Sequence, residues 1–124
     1  MDFDELNKPI YQQLAEEIED YILKGIFKEE SKIPSTTEYS TNYRINPATV
    51  RKAFGILVDE DIIYKKRGIG MFIKEGSREK IKKKRKDQFF INYIQKTLEE
   101  GEKLGISSLD IIELIKERGN YGKK

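Results

Sequence analysis

The side chains able to do covalent or metal chemistry are few in kind. Among the 124 residues there is no cysteine and no histidine. That removes the thiolate nucleophile, the imidazole base, the disulfide and the usual zinc ligands. The carboxylates that stand together, Glu16-Glu17, Glu29-Glu30 and Glu99-Glu100, are immediate neighbours in the chain, so on a helix they diverge instead of forming an acid/base pair. Gly68-Ile69-Gly70 lacks the further glycine and following helix of a dinucleotide loop. The expectation is a non-enzyme with no catalytic residue, no metal site and no cofactor.

What remains is charge and hydrogen bonding. The chain carries 24 Lys+Arg against 22 Asp+Glu, a formal net charge of +2, but the signs are segregated: residues 16–20 are acidic, whereas Arg78 to Lys86 is almost wholly basic. Arg51 has the planar fork that matches guanine O6 and N7 or clamps a phosphate. Ser35 and Thr49 stand where helices are expected to begin, near free N–H groups that favour phosphate. Asn46 and Lys52 flank Thr49 and Arg51, and Lys65, Lys66 and Arg67 lead into Gly68, whose freedom at positive φ suits a turn lying close to a nucleic-acid backbone. This set points to double-stranded DNA.

The elements that must position these residues follow from period and punctuation. Ile10, Leu14, Ile18 and Ile22 recur four apart from Pro9 to Lys24, an amphipathic helix with Pro9 expected in its first turn and Gly25 as its left-handed end. Ser35 and Glu38 make a capping box for a short helix over about 36–42. Asn46-Pro47 is a second start signal, and Val50, Phe54, Leu57 and Val58 give a third helix to about Glu60. Tyr43-Arg44-Ile45 is then the turn of a helix-turn-helix, with Ile45 plugging the angle. Tyr39 and Tyr43, one turn apart, are read as packing residues and not as stacking platforms. Ile62 to Lys66 and Met71 to Ile73 form a hairpin around Arg67–Gly70.

Beyond the hairpin, Phe90, Ile94 and Leu98 recur at helical spacing. A break at Gly105 precedes Ser107 and Asp110, another cap, and a last helix bears Leu109, Ile112 and Ile115. These pieces are too short to build a core alone, so Phe90, Ile94, Leu98, Ile112 and Ile115 are expected to form a dimer seam, with little room for a large effector pocket. The fold expected is mainly α with a small β-hairpin: a winged helix-turn-helix domain over 1–75 and a C-terminal two-helix dimerisation segment over 76–124. The acidic start Met1-Asp2-Phe3-Asp4-Glu5 is unlike a signal peptide, and no apolar run approaches the ~20 residues of a membrane helix. A cytoplasmic protein with no membrane partner is expected.

The blocks Pro9-Ile10-Tyr11-Gln12-Gln13, Ile33-Pro34-Ser35, Asn46 to Phe54 with Leu57, and Arg67-Gly68-Ile69-Gly70-Met71-Phe72-Ile73 resemble, in order and spacing, the GntR family of bacterial transcription regulators, and the short helical tail is similar to that of its YtrA subfamily. The resemblance implies a homodimeric winged-helix repressor on a pseudo-palindromic operator, frequently beside a transporter operon, with the third helix in the major groove and the wing tip in the minor groove. By position, Thr49 would contact phosphate and Arg51 DNA, Gly68 with Arg67 would form the wing tip, and Ser35 would lie near the backbone. The chain departs from the family at Thr37, where an arginine that reads DNA is usual, and at Tyr39-Ser40, where an aliphatic residue and alanine are usual. Glu30 and Asp61 replace common glycines. Thr37 therefore implies an operator unlike the family consensus.

The competing readings are a winged-helix module turned to protein contacts, with Lys65 to Arg67 merely protecting a strand edge, and a solvated helix face for the basic run. The operator, the regulated genes and any small-molecule effector are unknown from sequence.

Overall fold

The computed structural model describes residues 8–119. These form two compact units dividing between Lys83 and Lys84, and the elements of each follow from local chemistry.

In the first unit α1 (Ile10–Leu23) buries Leu14, Ile18 and Ile22 on one face. Pro9 stands just outside as the N-cap, extended at φ −54° and ψ 143°, instead of inside the first turn. The helix ends at Lys24, and Gly25 turns left-handed at φ +78° as expected. For α2 (Thr36–Tyr43) the capping box is complete: Ser35 Oγ accepts from the Glu38 N–H at 3.1 Å, and the Glu38 carboxylate accepts from the Ser35 N–H at 3.0 Å. Asn46 Oδ1 accepts from the Ala48 N–H at 2.8 Å and Pro47 opens α3 (Pro47–Asp59). Between them Arg44 is left-handed at φ +53°, and Ile45, 7% exposed, fills the corner.

β1 (Ile63–Lys66) and β2 (Gly70–Ile73) pair antiparallel, Tyr64 opposite Phe72 and Lys66 opposite Gly70. The segment before α2 adds a third, minimal strand: Lys32 bridges to Phe72, the Ile33 N–H donates to Met71 O at 3.0 Å, and the Ile73 N–H donates to Ser31 O at 2.9 Å. One core unites Leu14, Ile18, Ile22, Ile33, Val50, Leu57, Ile62, Ile63, Ile73 and Ile81. Ile81 and Ser77 lie at the start of α4 (Ser77–Phe89), where Ser77 Oγ donates to Ile62 O at 2.6 Å. Glu29 accepts from the Arg78 N–H at 3.0 Å and Arg78 Nε donates to Leu23 O at 3.1 Å, so a carboxylate from the α1–α2 loop satisfies the free N–H groups at the α4 N-terminus.

Among the described residues three that are not glycine have positive φ, and two of them, Glu30 at +68° and Asp61 at +62°, are the positions where the sequence resemblance implies glycine. The backbone there is left-handed, which costs an ordinary residue roughly 1–2 kcal/mol. Tyr39, in place of an aliphatic residue, is 3% exposed, with its ring stacked on Tyr43 at 5.8 Å and edge-on to Phe54 at 5.8 Å. Its hydroxyl and Glu17 Oε2 are buried without a partner among the described residues. Glu17 Oε1 accepts from the Tyr21 hydroxyl at 3.0 Å, and that bond pushes the Tyr21 phenol up to about 12.

The second unit holds the end of α4, a π-helical segment (Phe90–Gln95), α5 (Lys96–Lys103) and α6 (Ser108–Gly119). The wider π turn advances fewer degrees per residue than an α turn, so Phe90 and Ile94, four apart, stay nearer one face. Gly101 allows the close approach of the α5–α6 turn: a Cβ there would stand 3.1 Å from both Ile106 O and Ile111 Cδ1. Ser107 and Asp110 make the expected reciprocal cap at 3.0 and 3.1 Å.

Candidate nucleic-acid interface

The polar residues singled out by sequence fall on three features of the first unit: the start of α2, the start of α3 and the wing. Ser35 is tied up as an N-cap by its hydroxyl, and Glu38 across the box is held below the ordinary carboxylate range by the Ser35 backbone N–H and side chain. Thr37 is exposed in the first turn of α2. Asn46 caps α3, Thr49 is half-buried one turn in, and Arg51 is exposed. Helix starts present free N–H groups and the positive end of the helix dipole, so Thr49 and Arg51 lie where an anion is favoured. A guanidinium at this place can span either a phosphate or the paired acceptors of guanine.

Lys52 is turned elsewhere. Its ammonium lies 4.1 Å from the centre of the Tyr11 ring, a cation–π contact that ties α3 to the first turn of α1. In the sequence Tyr11 has no role beyond its place in the Pro9–Gln13 block, and this long-range contact leaves no local signal there.

At the wing, Arg67 and Gly68 are exposed at the tip, with Gly68 left-handed at φ +80°. The Lys66 ammonium is 4.2 Å from the centre of the Phe72 ring and 5.9 Å from that of Tyr64. The lysines at the base of the wing are occupied differently: Lys74 and Lys80 both pair with Asp61, at 2.5 and 3.1 Å. Those partners hold the Asp61 carboxyl below its ordinary value and help to retain a non-glycine residue at a left-handed position.

In the second unit Phe90, Ile94, Leu98, Ile112 and Ile115 are all exposed, at 57, 37, 43, 43 and 60%. α5 and α6 border an open groove of about 470 Å³ lined by Tyr93, Thr97, Gly101, Leu104, Ile106 and Leu114. The groove is open and not enclosed: α6 folds back beside α5 at the Gly101 turn without closing over the space between them. None of the described helices is long and apolar enough to cross a membrane.

The sequence profile of the bacterial regulatory proteins of the gntR family matches residues 10–73, the stretch from the first residue of α1 to the last of β2. The chain belongs to the GntR family. Over 70 residues it is 41% identical to the HTH-type transcriptional repressor YtrA of Bacillus subtilis (strain 168), a match covering 56% of this chain and 54% of that protein. The chain thus matches about half the length of that relative. A solved structure of a transcriptional regulator of the GntR family from Bacteroides thetaiotaomicron is similar over 92% of this chain and 99% of that one, at 35% identity and a TM-score of 0.78. The DNA-binding domain of AraR in complex with operator ORX1 is similar over 59% of this chain and 88% of that one, at 33% identity and a TM-score of 0.53. The family and these relatives are transcription regulators, not enzymes, and the winged-helix fold is the architecture this chain shares with the solved structures.

Proposed function

We propose that this GntR-family chain is a repressor that grips a pseudo-palindromic operator as a homodimer, using residues 1–75 for DNA and residues 76–124 for the dimer. The start of α3 enters the major groove. Thr49 fixes a phosphate, Arg51 reads a base, and Arg67 and Gly68 reach the minor groove at the wing tip. Ser35, Thr37 and Asn46 line the approach from the helix starts. Lys52 acts through Tyr11, holding α3 in place, and the regulated genes are a transporter-type operon.

The observation that carries this reading is the exposed Arg51 in the first turns of a capped helix beside a basic, glycine-tipped wing. It lies within the part of the chain that is similar to a DNA-binding domain bound to an operator. The homodimer is supported by the apolar side chains left exposed on the second unit. Thr37 in place of the usual arginine withdraws one contact and shifts the preferred sequence.

Selection of bound duplexes from a random library by the purified chain tests it. An enriched inverted repeat with half-sites about one helical turn apart, bound less tightly as salt rises, is expected. Arg51→Ala should then lower the ratio of selected-site to unrelated-site affinity, by about 10-fold for each half-site and so about 100-fold for the homodimer, which loses a bidentate base contact in both copies. Absence of any enriched sequence, or an unchanged ratio for Arg51→Ala, contradicts the reading role.

A further inference from the structure

Alternate residues of a strand point to opposite faces of a sheet. Ile63 and Ile73 are buried and mark the inner face of the wing. Tyr64, Lys66, Gly70 and Phe72, which pair across the two strands as Tyr64 with Phe72 and Lys66 with Gly70, therefore lie on the outer face. Lys32 bridges to Phe72, and its neighbour Ile33 is buried, which sets the Lys32 side chain on the outer face too. It is a basic residue beside the wing that no reading of the sequence marked.

Two cations are fixed on this face by packing. Lys66 is held over the Phe72 ring. The stem of Lys32 lies across Gly70, where an added Cβ would stand 2.7 Å from Lys32 Cε and 3.6 Å from its Nζ. Gly70, at φ +146°, thus serves twice: it takes a backbone conformation unfriendly to other residues, and it leaves the trough in which Lys32 rests. Lys32 is also three residues before the cap of α2, near enough to Glu38 to help keep that carboxylate ionised.

The contrast with the base of the wing is informative. Lys74 and Lys80 share the single carboxylate of Asp61, whereas Lys32 and Lys66 make no ion pair with any described residue. A lysine whose stem is already immobilised loses less side-chain freedom when it takes a ligand. Its ammonium is a point charge without the planar fork of arginine, so the group it suits is a phosphate oxygen and not the edge of one particular base.

We propose that Lys32 is a phosphate-contacting residue of the duplex interface, held by Gly70 between the wing and the start of α2, and that it strengthens binding to every DNA sequence alike. The assignment rests on the DNA-binding reading above. It adds a third, central point of backbone contact between the α2 start and the wing tip.

The test is the salt dependence of affinity for the full chain, measured on the selected duplex and on an unrelated duplex. The variants are Lys32→Met, which keeps the apolar stem, Lys32→Arg, which keeps the charge, and Lys116→Met, which removes an exposed charge from α6 of the second unit. For Lys32→Met, which removes the contact from both copies of the homodimer, the slope of log affinity against log salt should become shallower by about 1.8, roughly 0.9 for each lost phosphate contact, with affinity reduced by the same factor on both duplexes. Lys32→Arg and Lys116→Met should keep the wild-type slope. A wild-type slope in Lys32→Met, or an equal loss in Lys116→Met, would overturn the contact. If the wild-type chain shows no salt-dependent binding to any duplex, the DNA-binding reading itself fails and the role of Lys32 goes with it.

Discussion

The two units of this chain treat their apolar residues in opposite ways. In the first, Leu14, Ile18, Val50, Leu57 and Ile73 have no exposed surface at all, and helices, wing and the start of α4 close around them. In the second, α6 has no buried residue, while Phe89, Phe90, Ile91, Tyr93, Leu104, Leu109 and Ile115 are each more than half exposed. Contiguous apolar surface of this kind marks an interaction face. The first unit buries its apolar residues within itself, whereas the second leaves apolar surface exposed, which on the proposed function a second copy covers. The proposed division of labour between DNA and dimer contacts rests on where the hydrophobic residues end up.

The largest expected effects break the first unit. Leu57→Ala removes a side chain with no exposed surface from the last turn of α3 and should cost roughly 2–5 kcal/mol, read as a lower denaturant midpoint. A cost below about 1 kcal/mol would mean the core is not continuous there. Ile94→Asp is the opposite experiment. Because Ile94 is already 37% exposed in the single chain, it should leave the unfolding of the winged unit nearly unchanged while halving the sedimenting mass. An unchanged mass would remove Ile94 from the seam.

A smaller effect separates the units by pH. The N–H groups of Gly76 and Arg78 hold the Glu29 carboxyl below its ordinary value. A carboxylate whose folded pKa is depressed stabilises above its unfolded pKa, and that contribution is lost as pH falls through the lower folded value. Thermal stability of the winged unit should therefore fall as pH drops through and below the usual carboxylate range, about 4.3 for a glutamate, and Glu29→Gln should flatten that fall. An equal acid slope in both proteins would show that Glu29 is not a significant cap of α4.

The smallest effect sharpens the family comparison. Glu30→Gly relieves a left-handed backbone and should raise stability by about 1 kcal/mol, visible as a higher melting temperature. A decrease would mean that the Glu30 side chain contributes more than its backbone costs.

Much of this was legible in sequence because it is local. The Ser35/Glu38 and Ser107/Asp110 boxes, the Asn46 cap with Pro47 inside it and the turn at Gly68 each involve residues a few positions apart, and all are present. The reading of Tyr39 and Tyr43 as packing residues matches their stacked rings. What escaped was a local departure from regular helix in two places and a distant partner in two others. Pro9 stands outside α1 instead of in its first turn, the π segment interrupts what the apolar spacing suggested was plain α-helix, Lys52 leans on Tyr11, and Lys32 is placed by Gly70, 38 positions away in the sequence. A strand that consists of one bridge has no period to reveal it. The alternation of exposed Lys32 with buried Ile33 was the only trace.

The central claim is that two copies, joined through the second unit, place two winged units on one duplex. The direct measurement is the mass of the complex formed with the selected duplex, by sedimentation or by mass spectrometry under native conditions. Two chains per duplex are predicted for the wild type, and Ile94→Asp should bind as single chains with lower affinity. A wild-type complex of one chain per duplex at saturation would contradict the account.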